Sequence, residues 1–307
     1  MDIVYQYDMP GNDDKYHLYS ALCSLYSICC IPTMKMEAKE VSVFTGQYFS
    51  VVLKRQVTFS VVLPVDVFTP QGKIEYIDGP FPTMYLLHGF SGNHMDWLYN
   101  GHIMELAAMR RIAFVMSNGE NSFYLDNPRS DQAYSEFIGK ELVDVTRRPF
   151  PLSHKREETY IGGLSMGGFG ALRNGLYYND VFGSAAALSS ALITDEVAQM
   201  KPGKGNFMAP YEYYAHTFGE PSALLSSDRA PKTLAKMRKE AGETLPWLYL
   251  ACGTEDFLYP INLDMHEALT ALGIPHEWLT HPGIHDFKFW NYALPLALDW
   301  IQHGPKQ

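Results

Sequence analysis

Short apolar runs alternate with amphipathic stretches along most of this chain. Val41–Phe44, Gln47–Lys54 and Gln56–Leu63 are rich in β-branched and aromatic residues. They predict antiparallel strands, with Gly46 turning the chain between the first two. Residues 69–82 hold Pro70, Gly72, Gly79, Pro80 and Pro82 and predict a loop. Thr83–Leu87 and Ile112–Met116 are unbroken apolar runs of strand length, as strands buried on both faces require. Ile103–Arg111 between them has helical spacing, and Tyr134–Arg147 predicts a helix with Phe137, Leu142 and Val145 on its apolar side. Thr159–Ile161 leads through a glycine-rich turn into a helix reaching Tyr178. Ser184–Leu188 and Trp247–Ala251 predict further strands. Ile261–Leu272 predicts a helix closed by Gly273, Glu277–Thr280 a strand, and Phe287–Gln302 a final helix. Strands that alternate with helices imply a mostly parallel central sheet with helices on both faces, an α/β protein.

Two regions break the alternation. Residues 192–244 carry Lys201-Pro202-Gly203-Lys204-Gly205, an aromatic patch over Tyr211–Tyr214 and a charged helix near Thr233–Glu240. They are expected to be an insertion over the C-terminal edge of the sheet. Residues 1–35 hold an apolar run from Leu18 to Ile31 that is too short for a membrane span of roughly 20 residues. Asp2, Asp8, Asp13 and Asp14 precede that run where a signal peptide carries positive charge. We expect residues 1–35 to be a poorly ordered N-terminal extension, with translation starting upstream of Met34 or Met36. Residues 36–305 are then the catalytic domain. The expected compartment is the cytoplasm rather than the cell exterior.

Composition narrows the function. At 47% hydrophobic and 19% charged residues the chain can build one large core. Its formal net charge of −10 offers no electrostatic footprint for nucleic acid and weighs against an anionic membrane surface. Cys23, Cys29, Cys30 and Cys252 form neither a disulfide framework nor a zinc spacing.

The chemistry concentrates at Gly163-Leu164-Ser165-Met166-Gly167, a G-x-S-x-G set between a predicted strand and a predicted helix. A serine there stands on a sharp turn with its hydroxyl above the sheet, and glycines two residues to either side remove side chains that would collide. Leu86-Leu87-His88-Gly89-Phe90 ends an earlier strand. In this arrangement the backbone N–H groups of Phe90 and Met166 form an oxyanion hole. His88 precedes the nucleophile and is expected to brace its loop. An acid should follow at the end of a later strand, and Asp256 fits, with Glu255 as its neighbouring rival. The base should come last. His285 fits, with His281 as rival, and His94, His102, His216, His266 and His276 read as surface or packing residues. Phe90, Trp97, Phe123, Tyr124, Phe257 and Tyr259 are candidate pocket aromatics.

These motifs resemble the esterase D-like group of α/β-hydrolases, which includes tributyrin esterases, feruloyl and acetyl esterases of carbohydrate esterase family 1, S-formylglutathione hydrolases and mycolyltransferases. The stretches that carry the resemblance are Tyr85–Trp97, Asn121–Asp126, Lys155–Ala171, Cys252–Tyr259 and Gly283–Trp290. The resemblance implies the α/β-hydrolase fold, Ser165, Asp256 and His285 as a catalytic triad, and no cofactor or metal. It also implies a small-molecule or oligosaccharide ester as the partner. The S-formylglutathione hydrolases carry a cysteine just after the first oxyanion loop, and Phe90-Ser91-Gly92-Asn93-His94 has none. We therefore expect a serine carboxylesterase for short acyl esters, with acetyl or feruloyl esters of plant carbohydrate as the natural source. A thioesterase or acyltransferase on the same site is the runner-up, and a non-catalytic binding protein of the same fold is the rival from another class. Self-association into a homo-oligomer is left open.

Overall fold

The computed structural model describes residues 41–68, 74–127, 129–130 and 132–304. The N-terminal extension expected over residues 1–35 lies outside the described residues.

Eight strands build one sheet: β1 (Ser42–Ser50), β2 (Arg55–Leu63), β3 (Thr83–Leu87), β4 (Ala113–Ser117), β5 (Thr159–Leu164), β6 (Ser184–Leu188), β7 (Trp247–Gly253) and β8 (His276–His281). Their order is β1-β2-β4-β3-β5-β6-β7-β8. β2 runs antiparallel to both neighbours, and the pairs from β4 across to β8 are parallel. This is the mostly parallel, helix-flanked sheet of the α/β-hydrolase fold.

Alternation within the strands assigns the two faces. Tyr85, Leu87 and Ile161 point into one apolar cluster, together with Phe169 and Leu172 of helix α2 (Met166–Tyr177). Met84, Leu86 and Tyr160 point into the other, under α1 (Ile103–Arg110) and α7 (Phe287–His303). The insertion contributes α3 (Thr194–Gln199), α4 (Tyr211–Phe218) and α5 (Pro231–Glu240), and α6 (Tyr259–Ala271) follows β7.

Three local expectations are corrected. Gly46 is not a turn: β1 runs through it and the chain reverses at residues 51–54, where Lys54 has φ 53°. A Cβ at Gly46 would lie 2.7 Å from the Phe59 ring, so the glycine makes room for a cross-strand aromatic. The expected helix over Tyr134–Arg147 contains a π-helical stretch, Phe137–Glu141, between α-helical Tyr134–Glu136 and Leu142–Thr146. Gly139 in that stretch sits against the Tyr178 ring. The loop expected over 69–82 reaches into a small hairpin, Asp66–Phe68 with Ile74–Tyr76.

Candidate active site

Ser165 occupies the turn between β5 and α2 with φ 55° and ψ −118°. Such a backbone costs a non-glycine residue roughly 1–3 kcal/mol and persists only where neighbours over-determine it. Here they do. Ser165 N–H donates to Leu188 O (2.9 Å), and its carbonyl accepts from Phe169 N (3.0 Å) and Ala191 N (2.9 Å). Sterics complete the enforcement. A Cβ at Gly163 would lie 2.4 Å from Gly167 O, and one at Gly167 would lie 2.4 Å from Leu87 O.

The loop after β3 is built on His88. Its Nδ1 donates to Gly89 O (2.7 Å) and its Nε2 accepts from Gly119 N–H (2.8 Å). Both ring nitrogens are engaged, so the imidazole is neutral, and burial holds its pKa below the usual 6.5. This leaves His88 no free nitrogen for a hydroxyl of Ser165 and ties two loops together. Tyr124 Oη donates to His88 O (3.0 Å) from below. The backbone N–H groups of Phe90 and Met166, on the two sides of this seam, donate to no protein acceptor among the described residues.

Asp256 and His285 meet at the ends of β7 and β8. His285 Nδ1 donates to Asp256 Oδ2 (2.8 Å), and Leu258 N–H donates to Oδ1 (2.9 Å). The Asp256 side chain is fully buried. Burial alone would raise its pKa, but the hydrogen bonds from His285 and Leu258 and the hydroxyl of Ser189 outweigh it, so the carboxyl lies below its ordinary value. With Nδ1 donating, the lone pair of His285 is on Nε2.

The rivals take other places. Glu255 accepts from Gly283 N–H (2.5 Å) and zips the loop after β7 to the loop after β8. The same seam carries Thr254 N–H to His281 O and Glu255 N–H to Gly283 O, both 3.1 Å. His281 Nδ1 donates to Pro282 O, and its ring lies against Tyr292.

Supporting residues that the sequence reading did not single out surround the pair. The His285 ring packs edge-on against Trp290, whose Nε1 donates to Ser189 Oγ (3.1 Å). Asn262 accepts from Ser190 N–H (3.0 Å) and donates to Ser190 O and Leu258 O (2.9 Å each), locking the turn after β6 to the start of α6. Nothing local in the sequence marks Asn262, since an asparagine inside a helix pattern reads as a surface residue.

A cavity of about 230 Å³ opens at Ser165. Phe90, Phe123, Met166 and Phe257 are among its lining. One wall comes from the insertion through Ile193, Phe207, Met208 and Tyr214. Three expected pocket residues are not among its lining. Trp97 is buried in the opposite core face, with Nε1 on Leu87 O (3.0 Å) and its ring against Phe287. Tyr124 is fully buried beneath His88. Tyr259 begins α6 and packs against Trp278. Long aromatic side chains near a motif serve its support as readily as its pocket.

Among the described residues no cluster of three His, Cys, Asp or Glu side chains could hold a metal ion, and no helix is long and apolar enough to cross a membrane.

Comparison with known proteins fits this geometry. Residues 50–301 match the family described as "Putative esterase". An acetyl esterase of Caldicellulosiruptor saccharolyticus is 41% identical over 254 residues, which cover 83% of this chain and 96% of that protein. Among solved structures, a substrate-bound fluorophosphonate-binding serine hydrolase F of Staphylococcus aureus superposes with a TM-score of 0.74 at 26% identity, over 85% of this chain and 98% of the other. An S-formylglutathione hydrolase of the same organism gives 0.71 at 27%, with the same coverage.

Proposed function

The chain belongs to the Esterase family and is a carboxylic ester hydrolase, and we propose that Ser165, His285 and Asp256 carry its reaction on short-chain acyl esters of carbohydrate. The observation that carries the assignment is the His285–Asp256 pair, held at the same sheet edge as a serine in an enforced positive-φ turn that opens on a cavity.

His285 Nε2 takes the Ser165 Oγ proton as Oγ bonds to the ester carbonyl carbon. The carbonyl π electrons move to oxygen, and the resulting oxyanion is held by the N–H groups of Phe90 and Met166. Collapse breaks the bond to the alcohol oxygen, which leaves with the proton from His285. Water then gives a proton to His285 and attacks the acyl carbon. A second collapse returns the proton to Ser165 Oγ and frees the carboxylic acid. Asp256 keeps the proton on Nδ1 and stabilises the imidazolium.

A cavity of about 230 Å³ is smaller than the roughly 300–1,000 Å³ that drug-sized ligands fill. That supports acetyl to butyryl groups over long chains, and the likeness to an acetyl esterase points the same way. We assign the hydrolytic unit to residues 36–305 and place it in the cytoplasm, with which a body holding Cys252 as a free thiol is compatible.

The test is Ser165→Ala against a panel of acetyl, butyryl, octanoyl and palmitoyl esters with methyl ferulate and S-formylglutathione alongside. Loss of a triad member costs on the order of 10⁴–10⁶ in rate. A variant that keeps more than about a hundredth of wild-type turnover, or a wild-type optimum at octanoyl or beyond, overturns the proposal.

A further inference from the structure

Among the described residues the two most exposed phenylalanines are Phe207 at 82% and Phe257 at 60%. Both line the Ser165 cavity, and their rings meet there, centroids 6.2 Å apart and planes 79° apart. Leaving two phenyl rings in water forfeits the free energy their burial would give, and a contiguous exposed apolar patch marks a place where something binds.

The backbone that presents Phe207 is well tied. Asn206 Oδ1 accepts from Met208 N–H (2.9 Å), Ala209 N–H (3.2 Å) and Tyr214 Oη (2.9 Å). Gly205 and Pro210 form a β-bridge across the same turn. Phe257 directly follows Asp256, and its ring lies 4.8 Å from that of His285. The pair therefore spans from the insertion to the general base.

Reaction chemistry says which part of the ester this corner faces. His285 delivers its proton to the departing alcohol oxygen. The first atoms of the alcohol thus lie against His285, and of the two rings packed on His285, Trp290 and Phe257, it is Phe257 that lines the cavity. The acyl group then has the rest of the cavity, whose lining includes Phe90 and Phe123. Glu196 stands at the same mouth. One of its carboxylate oxygens accepts from Asn206 Nδ2 (2.9 Å), and the other has no partner among the described residues. Two perpendicular aromatic plates with a free carboxylate oxygen beside them suit a ligand that has a flat C–H face and hydroxyls on its rim.

We propose that Phe207 and Phe257 form an aromatic clamp, with Glu196 accepting hydroxyl hydrogen bonds at its edge, which holds the alcohol moiety of the ester, and that this moiety is a pyranose sugar. The proposal rests on the assignment of Ser165 and His285 above.

The experiment compares two acetates, acetylated methyl xyloside and ethyl acetate, by acid release in a pH-stat. Both pass through the same acetyl-enzyme, so a change in the ratio of their kcat/KM values arises before the alcohol departs. Phe257 touches the general base, so the primary variant is Phe207→Ala, with Glu196→Gln as the second. Aromatic contacts convert to about three- to tenfold in rate. Phe207→Ala should lower the xyloside-to-ethyl ratio about three- to tenfold, Phe207→Tyr should restore it, and Glu196→Gln should lower it. An unchanged ratio in both variants overturns the clamp. So does a loss of equal size on both acetates, which would mark Phe207 as merely structural. A loss that follows the acyl group, seen with methyl ferulate against methyl acetate, overturns it too and puts the corner on the acyl side. If wild type hydrolyses neither acetate, or Ser165→Ala is active, the failure belongs to the assignment of function rather than to the clamp.

Discussion

One added methyl group at Gly167 tests whether the proposed nucleophile turn and oxyanion loop act as a unit. A Cβ there would lie 2.4 Å from Leu87 O and 2.6 Å from His88 O. Both are backbone atoms, and real Cβ contacts below 3.0 Å essentially do not occur, so α2 and the loop after β3 must part by about 0.6 Å or more. Phe90 and Met166 stand on opposite sides of that seam. Losing one oxyanion donor costs on the order of 10²–10³ in kcat, and a misplacement of roughly 1 Å costs on the order of 10². Gly167→Ala should therefore lower kcat/KM on p-nitrophenyl acetate about 100-fold. The control lies on the same helix. A Cβ at Gly175 would meet Ala185 Cβ at 2.7 Å, within the core. Gly175→Ala should lower Tm through overpacking of about 1–3 kcal/mol without a comparable loss of rate. The assay is initial rate of p-nitrophenol release with calorimetric Tm for both variants. Retention of more than about a tenth of wild-type kcat/KM by Gly167→Ala would refute the reasoning. So would an equal rate loss in Gly175→Ala.

Asn262→Leu leaves Ser190 N–H without an acceptor, while Ser190 O keeps Leu192 N–H and Leu258 O keeps the residue 262 N–H. One orphaned buried donor costs about 1–3 kcal/mol, which converts to a Tm loss on the order of 3–10 °C, and a calorimetric Tm within error of wild type contradicts it. His88 has its folded-state pKa lowered by burial from 6.5. As pH falls below that value the unfolded chain takes up a proton that the folded chain refuses, so His88 makes stability fall as pH falls. Denaturant unfolding from pH 7 to 5 should show a shallower decline in His88→Gln than in wild type. Burial lowers His94 and His266 in the same direction, so part of the slope remains in the variant. An identical slope would mean that His88 is not the buried neutral ring described.

What could be read from the sequence divides along a physical line. Period-two and period-3.6 patterns report local burial; β3, β4 and β7 are legible from their apolar runs, whereas β8, HEWLTH, is legible only as a short stretch between two helical patterns. The residues proposed for catalysis stand out in the sequence because a nucleophile turn needs glycines at fixed offsets and because acid and base are expected to follow strands in a fixed order. Gly46 was misread because a glycine that makes room for the Phe59 ring looks like one that turns a chain. Trp97 and Tyr124 were misread for a related reason. Both flank motif residues in sequence, and both are spent holding Leu87 O and His88 O from within the core. Asn262 left no trace, because its three hydrogen bonds go to backbone atoms at Ser190 and Leu258. Contacts made across the fold to main-chain groups put no constraint on neighbouring residue types.

The same backbone bonds explain why three residues far apart in sequence can be held to catalytic tolerance. β5, β6, β7 and β8 are adjacent in the sheet, and the ladder between them does not stop where the strands do. Ser165 N–H donates to Leu188 O at the end of β6, Ser189 N–H donates to Ala251 O on β7 (2.7 Å), and Thr254 N–H donates to His281 O at the end of β8 (3.1 Å). Each turn that carries a reacting or supporting group is thus pinned to the next strand over. The proposed nucleophile, acid and base stand on turns whose spacing follows the register of a parallel sheet, a more precise frame for a site than loops alone. Among the described residues, the turn at 205–210 that supplies part of the cavity wall has no such backbone bonds to these strands. That turn is tied to itself through Asn206 and meets the Asp256–His285 side through the Phe207–Phe257 contact. On the proposed assignment, sheet register positions the reacting groups, and side-chain packing shapes the cavity wall beside them. Changes within residues 200–210 should move the specificity of this esterase at far smaller cost to its chemistry than any change at the four strand ends.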